Sequence, residues 1–109
     1  MIDDHDKTQR LLAALRRNLP FEVRLAPALV RHLRSQAPPI EAPVRLLVRE
    51  LHYAGDEGGI VCELDLGDGK NALFASLTHL IVPSSHPAAA EAARYQNDRI
   101  KRLRKRGRA

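Results

Sequence analysis

The sequence lacks most of what marks a protein's chemistry at a glance. Its 109 residues include one cysteine, no tryptophan, two phenylalanines and two tyrosines. A lone cysteine excludes an internal disulfide, so an oxidising compartment offers this chain no staple; the expectation is a cytoplasmic address. Cys62 alternates with Ile60 and Leu64, which in a strand share its face. It is therefore predicted to be a buried, inert thiol rather than a nucleophile activated by His79, since a catalytic cysteine needs access and a depressed pKa.

Long apolar runs are missing too. The richest stretch, Leu73 to Val82, is broken by Ser76, Thr78 and His79. Nothing approaches the ~18 consecutive apolar residues of a spanning helix, so no membrane partner is expected. The first residues, Met1 to Asp6, are acidic where a secretory signal would be basic. The chain has no Cys-x-x-Cys, His-x-x-x-His or His-Glu-x-x-His, and no metal is predicted. Gly55 to Gly59 is glycine-rich but leads into a strand-like run, without the Lys-Ser or Lys-Thr and helix of a phosphate loop. No cofactor is predicted.

Acids are absent from one region, and that absence is informative. Between Arg99 and Ala109 stand seven bases and no carboxylate, although the whole chain carries a formal charge of only +5. The preceding residues are slightly acidic on balance, so the basicity belongs to the terminal segment.

The remaining pattern has the length of one domain. Leu11, Leu12, Leu15 and Leu19 recur at helical spacing behind Asp3, Asp4 and Asp6, any of which can cap. Pro20 ends that helix. Phe21 to Leu25 alternates like a strand but is short enough to be a turn or the start of another helix, and the alternatives stay open. Pro27 fits a first helical turn ahead of Leu29, Val30 and Leu33. After Pro38, Pro39 and Pro43 the period changes. Val44–Ala54, Gly59–Leu66 and Asn71–Val82 read as strands separated by turn residues. With Asp68-Gly69 as the second turn, Cys62 falls opposite Ala75 and Leu64 opposite Leu73, which places Leu77, His79 and Ile81 on the buried face. Ser84 to Pro87 opens a last helix with an inner stripe of Ala89, Ala93, Gln96, Ile100 and Leu103. The expected fold is α+β: a three-stranded antiparallel meander packed against helices in the order α-α-β-β-β-α. Residues 1–98 form its body, and 99–109 a basic extension of the last helix.

Two places invite chemistry. A meander brings its first hairpin tip near the far end of its third strand, so His52, Tyr53, Asp56, Glu57, Thr78 and His79 are predicted to share a corner that suits a ligand, with His79 as the acid/base candidate. The plainer account makes Asp56 and Glu57 turn residues and His79 a hydrogen-bonded core histidine. The second place is the terminal helix, where Arg94, Arg99, Lys101, Arg102, Arg104, Lys105, Arg106 and Arg108 suit the phosphate backbone of RNA or DNA. Phe21, Tyr53, Phe74 and Tyr95 are too few for a base-stacking platform, and no RRM, KH or zinc-finger pattern appears. Gln96 interrupts the helix's inner stripe, which points to hydrogen bonds with the sheet or to a subunit contact. A strand edge at Val44 offers another route to a dimer. The leading expectation is a protein-interaction or homodimeric module rather than an enzyme. A nucleic-acid accessory module and a ligand-binding or catalytic corner are the alternatives.

Overall fold

The computed structural model describes residues 2–67 and 70–107. Helix α1 spans His5–Arg17. Asp4 caps it, its carboxylate accepting the Lys7 amide at 3.0 Å, and that bond holds the Asp4 carboxyl below the usual range. Thr8, Leu11, Leu12 and Leu15 face inward. Strand β1 is Phe21–Leu25, the short segment left open above; its odd positions are buried and its even positions exposed. Helix α2 (Pro27–Arg34) has proline in its first turn, and the proline-rich stretch follows.

Strand β2 (Arg45–Tyr53) leads into α3 (Gly55–Gly58), one helical turn where a simple hairpin turn was expected. Positive φ at Gly55 and Gly59 bends the backbone into and out of it. Strands β3 (Ile60–Asp65) and β4 (Ala72–Ser76) pair in the predicted register, with Cys62 opposite Ala75 and Leu64 opposite Leu73. Asp68 and Gly69 lie outside the described residues. A 3₁₀ turn, Leu77–His79, then precedes β5 (Leu80–Ile81) and the final helix α4 (Ala89–Gly107).

The sheet corrects the three-stranded expectation. It has five antiparallel strands in the order β4-β3-β2-β1-β5. β1 pairs with the first half of β2, so Val44 leads into an interior strand and offers no edge. The run expected as one strand from Asn71 to Val82 is two, on opposite edges. Because only the 3₁₀ turn separates them, Ser76 and Leu80 are at most about 14 Å apart along the chain, and the sheet must curl to bring its two edges that close. The turn also breaks the alternation. Leu77 and Leu80 are buried, while His79 and Ile81 face outward, contrary to the expected buried stripe.

One sheet face carries the core: Val23, Val48, Leu51, Ile60, Cys62 and Leu64 pack with α1 and with Ala88 and Ala92. Burial pushes the Cys62 thiol up to about 12, as an inert thiol requires. On the other face His52 lies beside Phe74, with ring centroids 6.5 Å apart, and Glu22, Leu47 and Glu50 are exposed. Arg16 fixes α1 to the sheet by donating to the Leu51 carbonyl at 3.1 Å. Gln96 on α4 closes the seam between the sheet edges: its amide nitrogen donates to the carbonyls of Leu77 (2.6 Å), in the 3₁₀ turn, and Leu80 (2.7 Å), the first residue of β5. At the start of α4, His86 accepts the Ala88 amide through Nδ1 at 2.9 Å and meets the Phe21 ring edge-on at 4.7 Å. Burial lowers its pKa.

Removing the seam amide in Gln96→Ala leaves two partly buried carbonyls without their donor, and an urea melt should show a loss of about 2 kcal/mol. His86 gives a pH signature. Its folded pKa lies below the ordinary 6.5, so the unfolded chain takes up the proton first and stability falls as pH drops below that value. Between pH 7.5 and 5.5 the thermal midpoint of His86→Asn should fall less than that of the native protein.

Candidate functional site

The site is built around a charge that the core encloses. Asp3, 4% exposed, accepts at Oδ2 from Arg99 Nη1 (2.8 Å) and from the Tyr53 hydroxyl (2.8 Å). Arg99 is only 2% exposed, and its Nη2 donates to the Asp56 carbonyl at 2.7 Å. The Asp56 carboxylate receives the Ile2 amide at 2.9 Å, which holds its carboxyl low. Arg102 donates to the Ile2 carbonyl at 2.8 Å. Tyr95, the next inward residue of α4, accepts the Ile60 amide at 2.9 Å. Burial raises both phenols, and the adjacent Asp3 carboxylate helps push Tyr53 up to about 12. Gly59 is obligatory beside this cluster: its φ is +62°, and a Cβ there would collide with the Tyr95 hydroxyl and the Arg99 guanidinium.

This cluster sets how α4 lies. Its inward line, starting from Ala88 just before the helix, is Ala88, Ala92, the half-buried Tyr95 and Arg99, at spacings of four, three and four. The expected stripe was rotated by about one residue: Ala93 is exposed and Leu103 is 38% exposed, although Gln96 and Ile100 are half-buried. Beyond Ile100 every residue from Lys101 to Arg106 is exposed. Lys101, Arg102, Arg104, Lys105 and Arg106 therefore surround the last turns of α4, where they also complement the carbonyl end of the helix dipole. Arg108 lies outside the described residues.

Helices α1 and α4 run side by side on the buried face of the sheet, and a groove of about 600 Å³ opens between them. Leu11, Ala14, Ala88 and Tyr95 supply its apolar lining. Its charged lining includes Lys7, Arg10, Arg17, Arg94 and Arg102, opposed by Asp4, Glu91 and Asp98, and Asp3 and Arg99 line it as well.

The predicted corner is divided. Tyr53 and Asp56 belong to the Arg99 cluster, whereas His52 lies on the open sheet face and Glu57 is exposed. Thr78 shares a hydrogen bond with Ser76 at 2.9 Å. His79 is exposed, and its backbone carbonyl accepts the Ala26 amide. Among the described residues no hydrogen bond joins the His79 ring to the other five. No three His, Cys, Asp or Glu side chains gather there as a metal site either, within the same residues.

The ion pair and the groove escaped the sequence reading. The available signal was the four-three-four spacing ending on an arginine, which needs a buried carboxylate to accept it. Removing one partner in Arg99→Ala leaves the buried Asp3 carboxyl without its counter-charge; chemical denaturation should show a loss of about 3–5 kcal/mol, while Arg104→Ala on the exposed turns should change stability by less than about 0.5 kcal/mol. Comparison of the chain with protein-family models, curated proteins and solved structures finds no significant match, so the residues alone carry the functional argument.

Proposed function

We propose that the protein is a non-catalytic module that docks on the phosphate backbone of RNA or DNA through the last turns of α4. The observation that carries this reading is the exposure of Lys101, Arg102, Arg104, Lys105 and Arg106 on one projecting stretch of helix with no acid among them. A rigid helix presents these charges without the ordering cost of a disordered tail, and each phosphate it neutralises releases condensed counterions. Aromatics contribute little: Tyr53 and Tyr95 are committed to the Asp3–Arg99 cluster and β3, and Phe21 is buried. Recognition on this reading follows backbone charge rather than base identity.

A second reading, a homodimer, draws on β4. This outer strand, Ala72–Ser76, contains no charged residue and leaves Phe74 58% exposed, without the lysines or prolines that usually blunt a sheet edge. Pairing of two β4 edges would extend the sheet across a twofold axis.

Cutting the chain after Asp98 would remove Arg99 and the core with it, so the test uses substitution instead. Lys101, Arg104, Lys105 and Arg106 are changed together to Gln, keeping Arg102 on the Ile2 carbonyl. Fluorescence anisotropy with a short single-stranded RNA and a DNA duplex should give, for the native chain, a slope of log K against log salt of about −3 to −4. The fourfold variant should lose most of both affinity and slope. Undiminished binding by the variant, or none by the native chain at low salt, overturns the phosphate-docking reading. Sedimentation of the variant examines the second reading: a dimer that survives in the variant and dissociates in Phe74→Lys supports it, and a monomer throughout removes it.

A further inference from the structure

We infer that the groove between α1 and α4 is a binding site for a small organic anion with an apolar or aromatic body and a hydrogen-bond donor at its inner end. Three observations converge. The groove's volume of about 600 Å³ lies within the roughly 300–1,000 Å³ of small-molecule sites, which are apolar with a few placed polar groups. Leu11, Ala14, Ala88 and the Tyr95 ring supply the apolar part. Cations exceed exposed acids along it, and Arg10 and Arg94 are exposed bases on the two opposing helices.

The third observation specifies the donor. Asp3 lines the groove, and both of its described hydrogen bonds fall on Oδ2. Its Oδ1 is buried with no hydrogen-bond partner. A buried carboxylate oxygen left unsatisfied is costly, more so than a neutral group. Arg99 and Tyr53 are already committed to Oδ2, so an amine or hydroxyl approaching along the groove is the donor that completes the carboxylate. Oδ1 itself is covered, the Asp3 side chain being 1% exposed, so binding of the donor requires the lining over Asp3 to give way. Arg102 lines the groove and also belongs to the projecting turns of α4, but the ligand contacts argued here, Arg10, Ala14, Arg94, Tyr95 and Asp3, all lie before those turns, so the site stands even if the turns bind nothing.

Neither an inorganic anion nor a hydrocarbon would use all three features. A ligand that does has its anionic end between Arg10 and Arg94, its body over Ala14 and Tyr95, and its donor toward Asp3. An aminonaphthalenesulfonate has these parts, and naphthalene-1-sulfonate lacks only the donor. Calorimetric titration of the full chain with 5-aminonaphthalene-1-sulfonate should show one saturable site, with about tenfold tighter binding than for naphthalene-1-sulfonate. Ala14→Phe, which fills the groove, should abolish binding of both compounds while circular dichroism and the melting curve stay native. Arg94→Glu, on an exposed position, should weaken both at low salt, and sodium sulfate at equal concentration should not compete. Equal affinity for the two compounds overturns the role of Asp3. Absence of saturable binding at millimolar ligand, or binding unchanged in Arg94→Glu, overturns the site. If Ala14→Phe fails to fold, the paired compounds and Arg94→Glu still decide the matter.

Discussion

The structure turns on one ion pair that folding withdraws almost entirely from water. Enclosing Asp3 and Arg99 removes two hydration shells, and the pair is tolerable only because each ion finds further partners: the Tyr53 hydroxyl for the carboxylate, the Asp56 carbonyl for the guanidinium. Those partners belong to the segment before α1, the end of β2, α3 and α4. Satisfying one pair therefore fixes four pieces of chain relative to one another. The rotation of α4 follows, since Arg99 must point inward and Ala92 and Tyr95 turn with it. So does the direction of its exposed end. Gly59 marks how tightly the pair is enclosed, because even a methyl group there would displace it.

Local patterning was legible wherever neighbours in sequence are neighbours in space. The β3–β4 register followed from alternation together with a turn placed at Asp68-Gly69: alternation puts Cys62, Leu64, Leu73 and Ala75 on a common face, and the turn position selects which of them pair. Helices α1 and α2 were marked by leucine spacing and by a capping acid or a proline near their starts, and α4 by the Ser84 to Pro87 start signal ahead of an alanine-rich run. The sheet's full extent was not legible. Phe21 to Leu25 carries a strand pattern too short to outweigh a turn, and what makes it a strand is pairing with residues more than twenty positions away. The 3₁₀ turn was hidden for a different reason: Leu73 to Val82 is apolar enough to pass as one strand, and the local mark of the shift, Ser76 capping the turn by accepting the Thr78 amide, is a single hydroxyl that a strand also tolerates.

That shift also explains the fate of the predicted corner. In an unbroken strand His79 would point into the core; the turn instead sends Leu80 inward and His79 outward. Arg99 shows the opposite error. Grouping it with its basic neighbours treated charge as a property of sequence position, whereas helical geometry sends consecutive residues in different directions: Arg99 inward, Lys101 outward. Clustered charge at the end of a helix is thus two populations, one structural and one available for a partner.

The bonds that close the core are far apart along the chain. Tyr53 joins a residue fifty positions before it, Arg99 reaches Asp3 across 96 positions and Arg102 reaches Ile2 across 100. A chain made from its N-terminus can form α1 early, yet Asp3 must stay hydrated until the far end of α4 exists to meet it. On the ribosome, then, the native packing waits for nearly the whole of the described chain, and the exposed leucines of α1 spend that interval without their final cover. The first residues thus gain their buried partners only after the last helix has been made.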